Sequence, residues 1–282
     1  MDIKEYLKEK SVLVVEELER LLPPEDEEPI SVHKAMRYTT FLPGKRIRPV
    51  MMIALTEMFK SDVSVALPAA CAIEMIHNSS LILDDLPCMD DAKMRRGKKA
   101  NHLVFGEDIS ILAGFGLLNL AFNIVSRMNE THGISYRRAV EVQRQLSFAV
   151  GSKGLIGGQA LDLEGEGKRL NFDRLEFIHS RKTGALFTSA GQIACVLAGV
   201  GERDRTAIEL YTKNLGLAFQ VVDDILDVTA SPDVLGKDTA KDENKTTFVS
   251  FTSVEEAKKV AEELIDFSVD ALDRYGSRAD VL

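Results

Sequence analysis

The stretch VALPAACAIEMIHNSSLILDDLPCMDD, residues 65–91, joins a long apolar run directly to a cluster of aspartates. From Val65 to Leu83 the one acidic side chain is Glu74, and apolar or small residues fall on most faces of a helix. Such a helix belongs at the centre of a bundle, not on its surface. Asp84-Asp85 closes it, and Pro87 breaks the chain just beyond. The arrangement recurs downstream, where a helix predicted over Arg203–Val228 ends in Asp223-Asp224-Ile-Leu-Asp227.

Outward from these two segments, helical spacing dominates. Ile3, Tyr6, Leu7, Val14, Leu18 and Leu21 share one helical face, stopped by Pro23-Pro24. Further helices are predicted near Ser31–Tyr38, Arg46–Phe59, Asp108–Arg127, Ser135–Val150, Asp173–Val200 and Val254–Tyr275. Val65–Leu83, Asp173–Val200 and Arg203–Val228 are expected to be buried on most faces. Polar loops fall at Glu164–Arg169 and Ser231–Lys245, and the second is expected to act as a lid over the second acidic cluster. No alternating strand pattern or internal repeat is found. With no Trp and 6% aromatic residues, a sandwich or barrel is disfavoured. The fold expected is all-α, a single-domain helical bundle over residues 1–282.

Hydrophobic residues make up 45% of the 282, too many for disorder. The 35 Lys and Arg against 44 Asp and Glu give a net charge of −9. That balance disfavours generic binding to nucleic acid or anionic membrane, and taken alone it disfavours a phosphate-rich substrate. Cys71, Cys88 and Cys195 are widely spaced, which argues against a disulfide framework or zinc site and for a reducing compartment. The strongly apolar stretches Ile111–Phe122 and Ile193–Val200 are too short to span a bilayer. The start, MDIKEYLKEK, has no apolar core and is neither a secretory signal nor an Arg/Ser-rich transit peptide. Met1 is either a native start or a replacement for a cleaved leader.

Carboxylates at the C-terminal end of a helix meet the negative pole of its dipole. Buried together, they also cost several kcal/mol unless cations compensate. With oxygen donors only, the compensating ion is a hard divalent metal. At about 100° per residue, Asp223, Asp224, Asp227 and Gln220 share one helix face. Asp90 would point away on an unbroken helix, and Pro87 lets it swing back towards Asp84. A lone Asp pair would be read as a solvated helix end; two pairs, each closing an apolar helix, weaken that reading.

Basic groups surround these clusters. Gly44-Lys45-Arg46-Ile-Arg48-Pro49 opens a helix, whose N–H groups and three cations suit a diphosphate. Arg95-Arg96-Gly97 follows the first cluster. Lys182-Thr183 follows His179, and Lys237, Lys241 and Lys245 follow the second cluster. His77 lies two helical turns before Asp84, on the same side.

The segments GKRIRP, EMIHNSSLILDDLPCMDDAKMRRG, GGQALD, HSRKTGAL and FQVVDDILDVT run in order from Gly44 to Thr229. Together they resemble the trans-isoprenyl diphosphate synthases, with DDLPCMD most like the plant geranylgeranyl diphosphate synthases and their longer-chain paralogues. The resemblance implies the isoprenoid synthase fold, helices around a deep central cavity, usually as a homodimer. It implies about three Mg2+ per site, bound by Asp84, Asp85, Asp90, Asp223 and Asp227, with Asp224 a less direct participant. Arg95, Lys182, Thr183, Gln220, Lys237 and Lys245 would hold the allylic diphosphate. Lys45, Arg48, His77 and Arg96 would hold isopentenyl diphosphate. The reaction implied is ionisation of the allylic diphosphate and attack by isopentenyl diphosphate, which needs no protein nucleophile. A plastid stroma is expected if a transit peptide has been removed, and the cytoplasm otherwise.

Chain length is expected to depend on residues below Asp84. Ser80 and Ser79 lie there, where bulky side chains would act as a floor, and Met commonly occupies the place of Ser79 in plant relatives. A deeper cavity and products beyond geranylgeranyl diphosphate, such as geranylfarnesyl diphosphate, are expected. Phe115 stands where relatives carry Asp and is expected to plug or line the cavity. Leu83 replaces the His often found before the first Asp. Met52 and Thr56 replace a cysteine pair, which puts docking of a small regulatory subunit in doubt. The chain stops at Arg278–Leu282, where relatives usually continue. The rival readings are a non-catalytic partner subunit and, less favoured, a class I terpene cyclase. Both intact aspartate clusters oppose the first, and GKRIRP with DDILD opposes the second.

Overall fold

Asp62 caps helix α4 (Val63–Asp84) by accepting the Ser64 N–H at 2.8 Å, and Asp85 takes the cap position at the far end. The structure, a computed structural model, describes residues 2–229 and 246–282. Before α4 come α1 (Ile3–Leu21), α2 (Ile30–Thr40) and α3 (Ile47–Met58). After it come α5 (Asn101–Phe105), α6 (Glu107–Ser126), α7 (Met128–Thr131), α8 (Tyr136–Val150), α9 (Leu155–Gly165), α10 (Phe172–Lys182), α11 (Gly184–Ala198), α12 (Glu202–Thr229) and α13 (Val254–Leu272). A single two-stranded ribbon, Met94–Arg95 against Lys98–Lys99, is the only sheet among the described residues.

The expectation of an all-α fold holds. One apolar core takes residues from α1 (Val14, Leu18) through α4 and α11 to the end of α13 (Leu272). α4 packs along α6 and α3, and α11 packs against α12, α3 and α8. Phe187, Met52, Ile53, Leu55 and Met75 are fully buried there, each contributing about 1.5–3 kcal/mol of burial.

Three expectations about burial are corrected. The helix predicted over Asp173–Val200 breaks at Thr183, where the Thr183 N–H bonds the His179 carbonyl and Gly184 starts a new helix. Only its second half, α11, is buried on most faces; α10 buries Leu175 and Ile178 alone. α12 buries one stripe, since its charged residues need the opposite face for water. α3 takes the central place instead, with every residue but Ile47 and Glu57 buried. The third concerns bilayer-spanning length. α4 and α6 are long and apolar enough to cross a membrane by length and composition, but α4 lies inside the core. α6 rests one face on α4 and α2 and exposes Ile111, Leu112 and Phe115 on the other.

Candidate active site

A cavity of about 1010 Å³ opens where α4 and α12 end. His77, Ser80 and Asp84 line it from one face of α4; Gln220, Asp223, Asp224 and Asp227 line it from α12. After Asp84 the chain turns sharply. The Asp90 N–H donates to the Asp84 carbonyl at 2.8 Å and the Asp91 N–H to the Leu86 carbonyl at 3.0 Å. This folds the Pro87 loop back, so Asp90 joins Asp84 at the cavity, the return that Pro87 is expected to allow.

Burial pushes the Asp84 carboxyl up to about 6; Lys182 opposes this, and Asp90 adds to it. Asp85 behaves differently. It is 1% exposed and does not line the cavity. Both its oxygens accept Arg95 Nε at 3.1 Å, and Arg95 Nη2 also donates to Oδ1. Burial raises its carboxyl, against the pull of Arg95. The residue expected to bind metal is thus held by the residue expected to bind diphosphate.

Arg95 sits on the ribbon, which sequence patterning missed because each strand is two residues long. Arg96 and Gly97 form its turn with φ of 52° and 77°. Two left-handed central residues match the twist of a tight hairpin. The turn presents Arg96 to His77, with Nη2 3.4 Å from Nε2. Arg48 completes this basic wall, its guanidinium 4.5 Å from the Phe187 ring centre. Burial lowers Arg48 to about 10, and burial beside Arg48, Arg96 and Arg95 holds His77 well below its usual value. Arg48 Nε and Arg96 Nη1 are buried with no hydrogen-bond partner among the described residues.

Two cations expected beside them are elsewhere. Lys45 is exposed, next to a separate groove lined by α1 residues such as Leu7 and Ser11. Arg46 lies in the core, paired with Glu74 at 2.7 Å. The reading of Gly44–Pro49 as a three-cation diphosphate cradle is therefore corrected to Arg48 alone on the cavity.

On the opposite side Lys182 Nζ donates to Asp162 Oδ2 at 2.6 Å. Asp162, Asp84 and Asp90 keep this ammonium above its usual value despite burial. Thr183 Oγ1 donates to Gln220 Oε1 at 2.8 Å, and Gln220 Nε2 donates to Asp224 Oδ1 at 2.9 Å. Asp224 Oδ2 accepts the Phe248 N–H at 2.8 Å, and burial raises its carboxyl to about 6. Asp162 from α9 and Glu166 just past its end line the cavity, and neither is singled out by the sequence, although Asp162 closes the GGQALD segment. Gly158 lets α9 approach, because a Cβ there would fall 2.3 Å from the Lys182 nitrogen.

The chain-length residues divide. Ser80 lines the cavity. Ser79 is 3% exposed and donates to the Gly114 carbonyl at 2.7 Å, facing α6 rather than the cavity. Phe115 is 56% exposed, on the outer face of α6, so within one chain it neither plugs nor lines the cavity. Met52 and Thr56 are buried and offer no docking surface. Lys237, Lys241 and Lys245, with the expected lid, lie outside the described residues.

The polyprenyl synthetase family model matches residues 30–273. The chain belongs to that family. It is 42% identical to the chloroplastic heterodimeric geranylgeranyl pyrophosphate synthase large subunit 1 of Arabidopsis thaliana, over 93% of this chain and 72% of that one. It is 41% identical to the chloroplastic geranylfarnesyl diphosphate synthase of Leucosceptrum canum, again over 93% and 72%. Among solved structures, a geranyltransferase of Helicobacter pylori complexed with magnesium and isoprenyl diphosphate superimposes with a TM-score of 0.86 at 28% identity, over 100% of this chain and 94% of that one.

As a polyprenyl synthetase the chain is a prenyltransferase that extends allylic diphosphates with isopentenyl diphosphate. Its magnesium dependence fits the donor set. Among the described residues no three acidic, His or Cys side chains form a ready-made metal cage. Mg2+ is commonly held by one or two carboxylates plus substrate phosphates. Two acidic helix ends facing across a cavity, beside guanidinium nitrogens with no hydrogen-bond partner among the described residues, are suited to that shared binding.

Proposed function

We propose that this cavity makes geranylgeranyl or longer all-trans prenyl diphosphates, with each wall taking one diphosphate. The observation that carries this is the opposition of two acidic helix ends to the Arg48, His77 and Arg96 wall, with Arg48 Nε and Arg96 Nη1 left without a hydrogen-bond partner among the described residues. Asp84, Asp90, Asp223 and Asp227 would hold Mg2+ on the allylic diphosphate; Asp85 and Asp224 act by keeping the two ends in shape. Bound Mg2+ supplies charge neutralisation of the leaving group. Lys182, Arg95, Thr183 and Gln220 hold that same diphosphate.

Arg48, His77 and Arg96 hold isopentenyl diphosphate, with His77 neutral. The allylic C–O bond breaks as pyrophosphate leaves, and the isopentenyl double bond attacks the allylic carbon. The proton then lost from the new cation goes to the pyrophosphate. Leu155, Leu186 and Phe219 on the cavity wall keep water from the cation. The uncovered α6 face with Ile111, Leu112 and Phe115 supports pairing with a second copy as a homodimer. The chloroplastic relatives support a plastid location.

Incubation with Mg2+, farnesyl diphosphate and labelled isopentenyl diphosphate tests the reading. A longer prenyl diphosphate is expected, and Ser80→Phe is expected to shorten it. A hydrocarbon product would instead indicate a cyclase. Turnover only after adding a partner subunit would indicate a regulatory chain.

A further inference from the structure

Behind the basic wall lies an ion pair that touches no cavity surface. Glu74, at the middle of α4, and Arg46, at the start of α3, have side chains only 2% and 3% exposed, and neither lines the cavity. Arg46 Nη1 donates to Glu74 Oε1 at 2.7 Å, while its Nη2 donates to the carbonyls of Leu42, at 2.9 Å, and Thr40. Asn78 Nδ2 donates to the same Glu74 oxygen at 3.3 Å, fixing the carboxylate from its own helix. Arg46 holds φ of 49°, a left-handed conformation uncommon for a residue with a Cβ. Its guanidinium therefore ties down a strained turn, and two residues later Arg48 enters the cavity.

The same turn packs against Arg96, which the ribbon brings in from outside it. A Cβ on Gly44 would lie 3.0 Å from the Arg96 guanidinium and 3.4 Å from that of Arg46. Arg46, Arg48, Arg96 and His77 are thus gathered around one short turn, and like charges so gathered repel in a low dielectric. The negative charge of Glu74 opposes the loss of charge that burial imposes on both Arg48 and Arg96. A buried pair is weak evidence for stability, because apolar residues of similar volume often do as well. Fixing geometry is the role this pair is placed for.

We propose that Glu74 is a positioning residue for isopentenyl diphosphate: through Arg46 it holds the Gly44–Arg48 turn so that Arg48, Arg96 and His77 converge before substrate arrives. This rests on the assignment of that wall to isopentenyl diphosphate. Glu74→Gln keeps the shape and removes the charge. The KM for isopentenyl diphosphate is expected to rise about tenfold, equivalent to about 1.4 kcal/mol. The KM for farnesyl diphosphate and kcat are expected to stay within about twofold, since the acidic ends are untouched. Arg46→Lys keeps the charge but cannot reach the carboxylate and both carbonyls, and should give the same split. It decides the matter if Glu74→Gln does not fold by circular dichroism. A folded variant with unchanged isopentenyl KM, or with both KM values raised equally, overturns the proposal. Absence of condensation by the unmodified protein would instead overturn the assignment of function.

Discussion

The two acidic helix ends look alike in sequence and are held in different ways. At the end of α4, Asp85 is gripped by Arg95, a cation ten residues along on a local ribbon. At the end of α12, Asp224 is held by Gln220 from its own helix and by the backbone of Phe248, 24 residues along. The first end carries its own counter-charge, with Lys182 also acting on Asp84. Among the described residues, the forces set against burial at Asp224 are neutral hydrogen bonds. An acidic helix end can thus be kept in place by charge or by neutral donors. The α12 end depends more on cations brought from outside itself.

The largest expected effect tests whether the two ends work as one site. Asp84→Asn or Asp223→Asn should each lower kcat by about a thousandfold, the scale of losing several kcal/mol of charge stabilisation on one leaving group. Because both ends serve the same diphosphate, the double variant should lose little more than either single one. Multiplying losses in steady-state kinetics would show two independent sites.

The next effect separates the two modes of anchoring. In metal-free protein, Arg95→Met leaves the buried Asp85 charge without its cation and should cost about 3 kcal/mol of stability. Gln220→Met removes one neutral donor from Asp224 and should cost about 1 kcal/mol. Urea unfolding measures both. Equal losses would mean that Arg95 serves substrate and not Asp85.

This contrast also marks how far the sequence could be read. Both Asp clusters, the helices that carry them and the return of Asp90 after Pro87 were visible, because periodicity, dipole sense and a proline act locally. The split roles within each pair were not. DD in a string is symmetrical, and which carboxylate faces inward depends on Arg95 and on Phe248, one supplied by a two-residue strand and the other by a distant backbone N–H. α9 escapes the sequence pattern because Gly157 and Gly158 weaken the helical signal, where close approach to the Ser152 carbonyl requires the first and close packing on the Lys182 backbone requires the second. Lys45 and Arg46 were misjudged because adjacent cations on a turn point in different directions: one reaches solvent, and the other reaches Glu74 in the core. Ser79 and Ser80 differ in the same way, by about 100° around one helix.

A gain rather than a loss is expected in stability against pH, and it separates Asp84 from Asp224 although both carboxyls lie near 6. A carboxyl raised by folding holds its proton in the native state over a range, from about 4 to about 6, where the unfolded chain has released it. The native state is therefore penalised as pH rises through that range, and the penalty is complete above it. Asp84→Asn removes the penalty, so metal-free variant should exceed metal-free parent by about 2 kcal/mol at pH 8, allowing for partial solvent screening, with the gap closing below about pH 3. Taking the difference between the two proteins cancels the opposite contributions of His77 and His179, both depressed by burial. Asp224→Asn should not show the gain. An amide has one acceptor oxygen, and Asp224 must accept from Gln220 and Phe248 at once. That variant should fall below the parent even at pH 8. If both variants were stabilised alike, the neutral anchoring at α12 would count for nothing and the two ends would differ only in their neighbours' charge.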